Sequence, residues 1–253
     1  MRILVTNDDG VHADGIFALS DALRMHHDVT VVAPERQQSA AGHAITLHKP
    51  LRLNPVSLRD GSTAYGSNGT PADCASLGAL IVLDGQVDLV VSGINRGPNL
   101  GWDVHYSGTV SAAIEAAIIG IPSFAISVTS WAEDIDWTGA QRVACATVRW
   151  LEQHPLPAHT ILNVNVPDCS AEGLRGVCIT TQGRRQYIDR IETRTDPTGR
   201  NYYWLGGSIA GDPSQAEIGT DVRANAEGYV SVTPIQLDMT AYQTMPDLQE
   251  FTI

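Results

Sequence analysis

The chain has 253 residues, of which 43% are hydrophobic and 17% are charged, values typical of a soluble globular protein. The sequence contains no apolar run long enough to span a membrane. Its 16 Lys and Arg against 28 Asp and Glu give a net charge of −12, which repels nucleic-acid phosphates and excludes polymeric nucleic acid as an expected partner. The four cysteines form no CxxC motif and the first strand begins directly after Met1-Arg2, so we expect reduced thiols, no export leader and a cytoplasmic protein.

The first predicted strand ends in a pair of carboxylates. Ile3 to Val5 form an apolar run typical of a buried parallel strand, and Asn7-Asp8-Asp9-Gly10 follows it directly. Asn, Asp and Gly favour a backbone turn, which would let both carboxylates face one cation or act in acid/base chemistry. The alternative is an Asx-type turn that leads into the next helix.

A helix and a second strand are predicted next. Ile16, Leu19 and Leu23 fall at helical spacing, and Val29 to Val32 form another apolar run that ends near Pro34. This βαβ unit implies a right-handed crossover and therefore a parallel sheet.

The region between the second and third strands is predicted to contain hairpins and a helix. Ala44 to Leu53 and Thr63 to Tyr65 are β-rich pieces, interrupted by Pro and Gly, that would form hairpins beside the main sheet. Thr70-Pro71 is a good cap and first-turn pair for a helix. Helical spacing then puts three apolar side chains on one face of this helix: Cys74, Leu77 and Ile81.

Two more polar loops are predicted at the carboxyl ends of strands. The segment around Ser39 follows the second strand, and the Gly-, Asn- and Pro-rich segment 92–101 follows a third strand, Val87 to Val91. The latter loop carries Asn95 and Asn99, which are candidate ligands or, alternatively, residues of left-handed turns.

The second half of the chain is predicted to complete the sheet and to add an appendage. A helix opens at Ser107-Gly108-Thr109, and two strands, Phe124 to Val128 and Ile161 to Val166, flank a long helix that ends near Leu151. Beyond Leu174 the pattern changes to short β-like pieces, at Val177–Thr181, Tyr187–Thr193, Tyr202–Leu205 and Tyr229–Thr233. We therefore interpret 1–253 as one domain, with an α/β core over 1–173 and a β-hairpin-rich appendage and return segment over 174–253.

The three loops are expected to converge on a cation site. Ligands of an open parallel sheet bind outside the carboxyl ends of its strands, where the strand order reverses. The oxygen donors there would be Asp8, Asp9, Ser39, Asn95 and Asn99. A donor set made only of oxygen suits a hard ion such as Mg²⁺, Mn²⁺ or Ca²⁺.

A phosphate site is expected beside the cation site. The free backbone N–H groups, hydroxyls and dipole at the Ser107-Gly108-Thr109 helix start can hold an anion, although plain helix capping is the alternative for Ser107 and Thr109. A cation next to a phosphate cradle suits phosphate monoester hydrolysis, in which Asp8 and Asp9 act as ligands, base or nucleophile. We favour attack by metal-activated water. Neighbouring histidines are assigned no catalytic role: His12, His43 and His105.

Six segments resemble the SurE survival-protein family. They are MRILVTNDDG, RQQSAAGHAIT, SGINRGPNLG, HYSGTVSAAIEA, GRNYYWLGG and TDVRANAEGYVSVTPIQLDMT. Together they run nearly from end to end of the chain, and the one departure noted is Ser111, where the family commonly has Gly.

The resemblance implies a Rossmann-like core and a metal-dependent 5′/3′-nucleotidase or acid phosphatase that acts on nucleoside monophosphates. It also implies that residues matching Asp8, Asp9, Ser39 and Asn95 hold one divalent cation per subunit, Mg²⁺ or Mn²⁺ ahead of Ca²⁺ or Co²⁺. Asn99, Ser107, Gly108 and Thr109 are then the phosphate-binding candidates. A homodimer or homotetramer joined through the carboxyl-terminal arm is the implied assembly.

Two hypotheses from other functional classes remain. A metal-dependent amide hydrolase such as a sugar deacetylase also places paired Asp at a strand end. In such sites, however, His side chains usually bind zinc, and His12 is the only candidate near the Asp pair. A nucleotide-binding regulatory module would use the same loops without cleaving phosphate.

Overall fold

The computed structural model describes residues 1–185, 187–209 and 211–250. In these ranges the strands are β1 (Arg2–Thr6), β2 (Asp28–Pro34), β3 (Leu53–Ser57), β4 (Thr63–Ser67), β5 (Leu89–Arg96), β6 (Ser123–Val128), β7 (Thr160–Val166), β8 (Val177–Ile179), β9 (Tyr187–Thr195), β10 (Asn201–Ile209) and β11 (Val230–Gln236). The α-helices are α1 (Asp14–Arg24), α2 (Pro71–Leu77), α3 (Gly108–Ile118), α4 (Thr138–Gln153) and α5 (Asp221–Ala226).

A mostly parallel sheet forms the centre of the molecule. Its strand order is β3-β4-β2-β1-β5-β6-β7-β11-β8, in which β3 and β11 run antiparallel to their neighbours β4 and β7. The order reverses at β1, which pairs with β2 on one side and with β5 on the other. The prediction of an open parallel α/β sheet flanked by helices is confirmed.

Helices cover both faces of this sheet. Ile3 and Val5 of β1 belong to a buried cluster with α1 and α4, whereas Leu4, which points to the opposite face, packs with residues of α2 and α3. Alternate residues of a strand face opposite sides of a sheet, so both faces of β1 are buried and the strand is a continuous apolar run. Each fully buried aliphatic side chain contributes about 1.5 to 3 kcal/mol to folding.

The predicted hairpin piece Ala44 to Leu53 is wrong for most of its length. Only Leu53 is in a strand, whereas the Thr63 to Tyr65 prediction is confirmed within β4. The segment before Leu53 bonds to the start of α2 instead: the Thr46 N–H donates to Asp73 Oδ1 (3.0 Å) and the Thr70 hydroxyl donates to the Ala44 carbonyl (2.7 Å). These bonds replace the ladder that a strand would need.

The helix at Pro71 begins as predicted, with a capping box between Thr70 and Asp73. Its predicted apolar face is wrong at Ile81, which is 67% exposed, while Ala79 is buried. The helix continues as a π-helical turn over Gly78–Val82. The wider turn takes more residues per rotation, so side chains after Leu77 leave the 3.6-residue stripe.

The third strand is longer than predicted. β5 starts at Leu89 and continues to Arg96, with a register shift between Ser92 and Asn95. Asn95 therefore lies on a strand, whereas the sequence pattern predicted a loop. A bulge re-aims side chains at a strand end.

The carboxyl-terminal region divides between the main sheet and a separate hairpin. β9 and β10 form a two-stranded antiparallel sheet, which confirms the appendage. β8 and β11 instead join the main sheet, and α5 is a helix that the sequence pattern did not predict. None of the described helices has the length and hydrophobicity to cross a membrane.

Candidate active site

The predicted metal ligands lie where the strand order of the sheet reverses. Asp8 and Asp9 follow β1, Asn95 is near the end of the neighbouring β5, and Ser39 follows β2 on the other side of β1. The crevice at such a reversal is the usual ligand site of an open α/β sheet.

Hydrogen bonds join these three segments directly. The Gln38 N–H donates to the Asp8 carbonyl (2.7 Å), and the Gln37 side-chain amide donates to Asp9 Oδ1 (3.3 Å) and to Ser39 Oγ (2.8 Å). The Arg96 N–H donates to Asp9 Oδ2 (3.1 Å). Gln37 and Arg96 were missed by the sequence analysis, because a glutamine side chain and a backbone N–H carry no local signal of such a contact.

Asp8 is buried against the start of α3. The Thr109 hydroxyl donates to Asp8 Oδ1. A methyl group built on Gly108 would lie only 2.8 Å from the Asp8 Cβ, so the close approach of helix and carboxylate requires glycine. Burial raises the pKa of Asp8 from 3.8 to about 6, with repulsion from Asp9 adding to the rise and the Thr109 bond opposing it.

Asp9 is only partly buried and is held from the β5 side. Burial raises the pKa of its carboxyl above the usual range, and the backbone N–H and positive charge of Arg96 oppose that rise. Two neighbouring carboxylates with raised pKa values form a site that is costly to keep doubly ionised unless a cation is present.

Two residues of the predicted phosphate cradle already have hydrogen-bond partners. Ser107 Oγ accepts from the Val110 N–H (3.0 Å) as an N-cap, and the Thr109 hydroxyl is engaged by Asp8. Thr109 is fully buried. Its hydroxyl is therefore positioned to orient a carboxylate, while the helix start still directs its dipole at the Asp8 side of the site.

Asn99 sits in a buried amide cluster beneath the site loop. Its side-chain amide donates to Ser127 Oγ (2.8 Å), its backbone N–H donates to Asn165 Oδ1 (2.8 Å), and its carbonyl accepts from Asn163 (2.7 Å). This arrangement fixes the loop between β5 and α3.

The same loop is anchored by the last third of the chain. The Asp221 carboxylate accepts the Gly101 and Gly183 N–H groups, both at 2.8 Å, and Arg185 pairs with Asp103 at 2.6 Å. These partners are far apart in sequence, and the pattern of β-like pieces after Leu174 gave no indication of them.

One cleft of about 330 Å³ brings most of the predicted residues together. Its walls include five predicted residues, Asp8, Ser39, Asn95, Asn99 and Ser107. Gly108 and Thr109 lie behind Asp8, and Asp9 faces an adjoining cleft beside His12. Two aromatic residues that the sequence analysis did not select, Tyr106 and Trp131, also line the first cleft.

The donor chemistry fits a hard divalent cation. The Asn95 Nδ2 donates to the Gly97 carbonyl (2.8 Å), which leaves the amide oxygen as its ligand atom, and Asp8, Asp9 and Ser39 add oxygens only. Within the described ranges no group of three or more His, Cys, Asp or Glu residues forms a metal cluster. These residues could therefore offer a cation two carboxylates, one amide and one hydroxyl.

Known proteins match this chain over most of its length, and a solved structure shares its fold. The family model described as survival protein SurE matches residues 3–189. A protein of Geobacter sulfurreducens called 5′-nucleotidase SurE is 49% identical, with 100% of this chain and 94% of the relative covered. A protein of the same name from a Thermoanaerobacter species is 46% identical and covers 100% and 99%. The crystal structure of the SurE protein from Aquifex aeolicus has a TM-score of 0.86 and 41% identity over 98% of both chains.

These matches confirm the resemblance that the six sequence segments indicated. Because the family model covers most of the chain and the relatives match almost its whole length, the chain belongs to the survival protein SurE family.

Proposed function

We propose that the chain is a metal-dependent phosphomonoesterase that hydrolyses nucleoside 5′- and 3′-monophosphates to nucleoside and phosphate. The observation that carries this proposal is the convergence of Asp8, Asp9, Ser39 and Asn95 at the reversal point of the sheet. The relatives named 5′-nucleotidase support the 5′ activity.

The four residues would hold one divalent cation, Mg²⁺ or Mn²⁺ ahead of Ca²⁺ or Co²⁺. When bound, such an ion neutralises charge on the phosphoryl oxygens and activates water as the nucleophile. Asp8 and Asp9 supply most of the negative charge that retains it. The Thr109 hydroxyl and the Arg96 N–H fix the two carboxylates so that little reorganisation is needed when substrate binds.

The protein groups have distinct tasks around the phosphate. The start of α3, where Ser107 lines the cleft and Gly108 lies behind Asp8, provides a favourable potential for an anion. Asn99 holds the loop between β5 and α3 in place through its amide cluster. A net charge of −12 disfavours anionic substrates at long range, so local groups of this kind are required.

The test is an activity screen with metals and substrates varied together. Metal-stripped protein is assayed with Mg²⁺, Mn²⁺, Ca²⁺ or Co²⁺ against 5′-AMP, 3′-AMP, an aryl phosphate and an acetylated amino sugar. Phosphate release from both nucleotides supports the proposal. Release of acetate alone would favour the amide hydrolase, and nucleotide binding without any product would favour a regulatory module.

The assembly and location proposed for the chain rest on other observations. The β9–β10 hairpin exposes apolar side chains that a partner subunit would cover, so we expect a homodimer or homotetramer through the carboxyl-terminal arm, residues 174–253. We also propose a single domain with its core over 1–173 and a cytoplasmic location.

A further inference from the structure

Two large aromatic side chains stand exposed at the cleft that contains the proposed ligands. Trp131 is 72% exposed and Tyr106 is 69% exposed, and both line the cleft with Asp8, Ser39 and Asn95. Neither residue contributes to the proposed metal or phosphate chemistry. Exposed aromatic surface costs free energy in water, so aromatic rings in a ligand cleft indicate that part of the ligand covers them.

The Trp131 ring contacts the wall of that cleft at Gly97. Gly97 has a φ of +107°, and a methyl group built there would lie 2.3 Å from Cη2 and 2.5 Å from Cζ2 of the Trp131 ring. The indole therefore packs on the bare backbone of Gly97 and leaves the rest of its surface open. The Gly97 carbonyl in turn accepts the Asn95 side-chain amide (2.8 Å), so the ring adjoins a proposed metal ligand.

We propose that Trp131, together with Tyr106, is the platform on which the nucleobase of the substrate stacks. This inference rests on the proposed nucleotidase function and adds the element that would separate nucleotides from other phosphate esters. Each base has a π-face, so stacking on an aromatic ring binds all four bases and favours the larger purines. The expected consequence is broad base tolerance, with a clear preference for nucleotides over sugar phosphates.

The experiment compares kcat/KM for 5′-AMP with kcat/KM for ribose 5-phosphate, which has the same phosphate and sugar but no base. In Trp131→Ala the ratio of the two values is expected to fall by about five- to a hundredfold. Trp131→Phe, which keeps an aromatic face, should restore most of the ratio.

A matched control comes from another exposed tryptophan. Trp150 lies on α4, is 48% exposed and stacks on His154. Trp150→Ala should keep the wild-type ratio. A loss of rate in Trp131→Ala that is equal for both substrates leaves the ratio unchanged and overturns the platform, because a structural role of the ring would affect the two substrates alike.

Binding of adenosine separates this inference from the proposed function. Adenosine has no phosphate, so its contact with the protein, measured by saturation-transfer NMR, does not depend on hydrolysis. If the protein hydrolyses neither phosphate but Trp131→Ala loses the adenosine signal, the platform stands and the nucleotidase proposal fails. If nucleotides are hydrolysed and the variant keeps both the signal and the ratio, the platform is wrong and the nucleotidase proposal stands.

Discussion

The carboxyl edge of the main sheet and the β9–β10 hairpin are stabilised in different ways. At the edge, Asp8 is buried, its carboxylate accepts the hydroxyl of the fully buried Thr109, and Asp9 is tied to two other segments. In the hairpin, Trp204 is 60% exposed and Leu205 is 85% exposed, and within the described residues β9 and β10 pair only with each other.

This difference separates two kinds of requirement. Both carboxylates at the edge find their hydrogen-bond partners inside one chain, so their geometry does not need a partner subunit. A lone two-stranded hairpin is marginal in water, so the hairpin needs additional contacts for its stability. The edge is thus expected to control chemistry and the hairpin to control assembly, and four predictions test this separation.

Removal of the cation should have the largest effect. Exhaustive chelation is expected to abolish phosphate release, because the proposed donors are few hard oxygens, and added Mn²⁺ or Mg²⁺ should restore it. The molar mass from light scattering should stay the same, since the hairpin is not part of the site. Full activity in protein shown by elemental analysis to be metal-free would contradict the metal mechanism.

Neutralising either carboxylate should have the second largest effect on turnover. Asp8→Asn and Asp9→Asn are each expected to reduce kcat by at least about a hundredfold, the scale on which one positioned electrostatic group acts. Asp21→Asn, at an exposed position of α1, is the matched control and should keep wild-type kcat. If a site variant kept near wild-type turnover, its carboxylate would be a turn residue only.

The same Asp8→Asn change should stabilise the metal-free fold at pH 7. Because burial raises the pKa of Asp8 from 3.8 to about 6, the folded state holds this proton more tightly than the unfolded state. The stability contribution of Asp8 therefore falls as the pH rises from about 4 to about 6 and stays low above it. A pKa difference of this size between the folded and unfolded states corresponds to about 3 kcal/mol of stability.

Thermal unfolding of chelated protein checks this sign. The Tm of Asp8→Asn should exceed that of wild type at pH 7, and the difference should shrink towards pH 4, where wild-type Asp8 is protonated. Asp21→Asn again serves as the control. A lower Tm for Asp8→Asn at pH 7 would mean that the carboxylate is stabilised, not strained, in the apo fold.

Changes in the hairpin should have the smallest effect on the chemistry. We expect a dimer or tetramer by light scattering at micromolar concentration, and the double change Trp204→Ser with Leu205→Ser should shift it towards monomer. Turnover per subunit should change by no more than about twofold, since neither residue lines the cleft. A monomeric wild-type protein would contradict this role of the hairpin. A double variant that stays associated but loses much of its kcat would show that the hairpin also affects the chemistry.

Much of the edge was predictable because its signals are local. An apolar run followed by Asn7-Asp8-Asp9-Gly10 predicts a buried strand with carboxylates at its end, and Ser107 has the sequence context of a helix cap. The structure has both features. The role of each residue as a metal or phosphate ligand stays a prediction.

The hydrogen-bond and packing partners of those residues were not predictable, because they are distant in sequence. Asp9 accepts a backbone N–H from a residue 87 positions away, and Asp221 accepts one from Gly101, 120 positions away. Trp131 is in a loop without a motif, and only its exposure in the cleft and its packing on Gly97 indicate a platform. Such contacts depend on which strands and loops become neighbours.

The sequence by itself determined the succession of strands and helices, the carboxylate turn after β1 and the family, because periodicity, capping and turn preferences act over a few residues. The tertiary structure alone decided that β5 lies beside β1, that Asn95 is on a strand, that Thr109 bonds Asp8, and that β8 and β11 return to the main sheet. Strand order and helix packing are settled by burial of the whole chain, and the local pattern of a strand does not specify its neighbours.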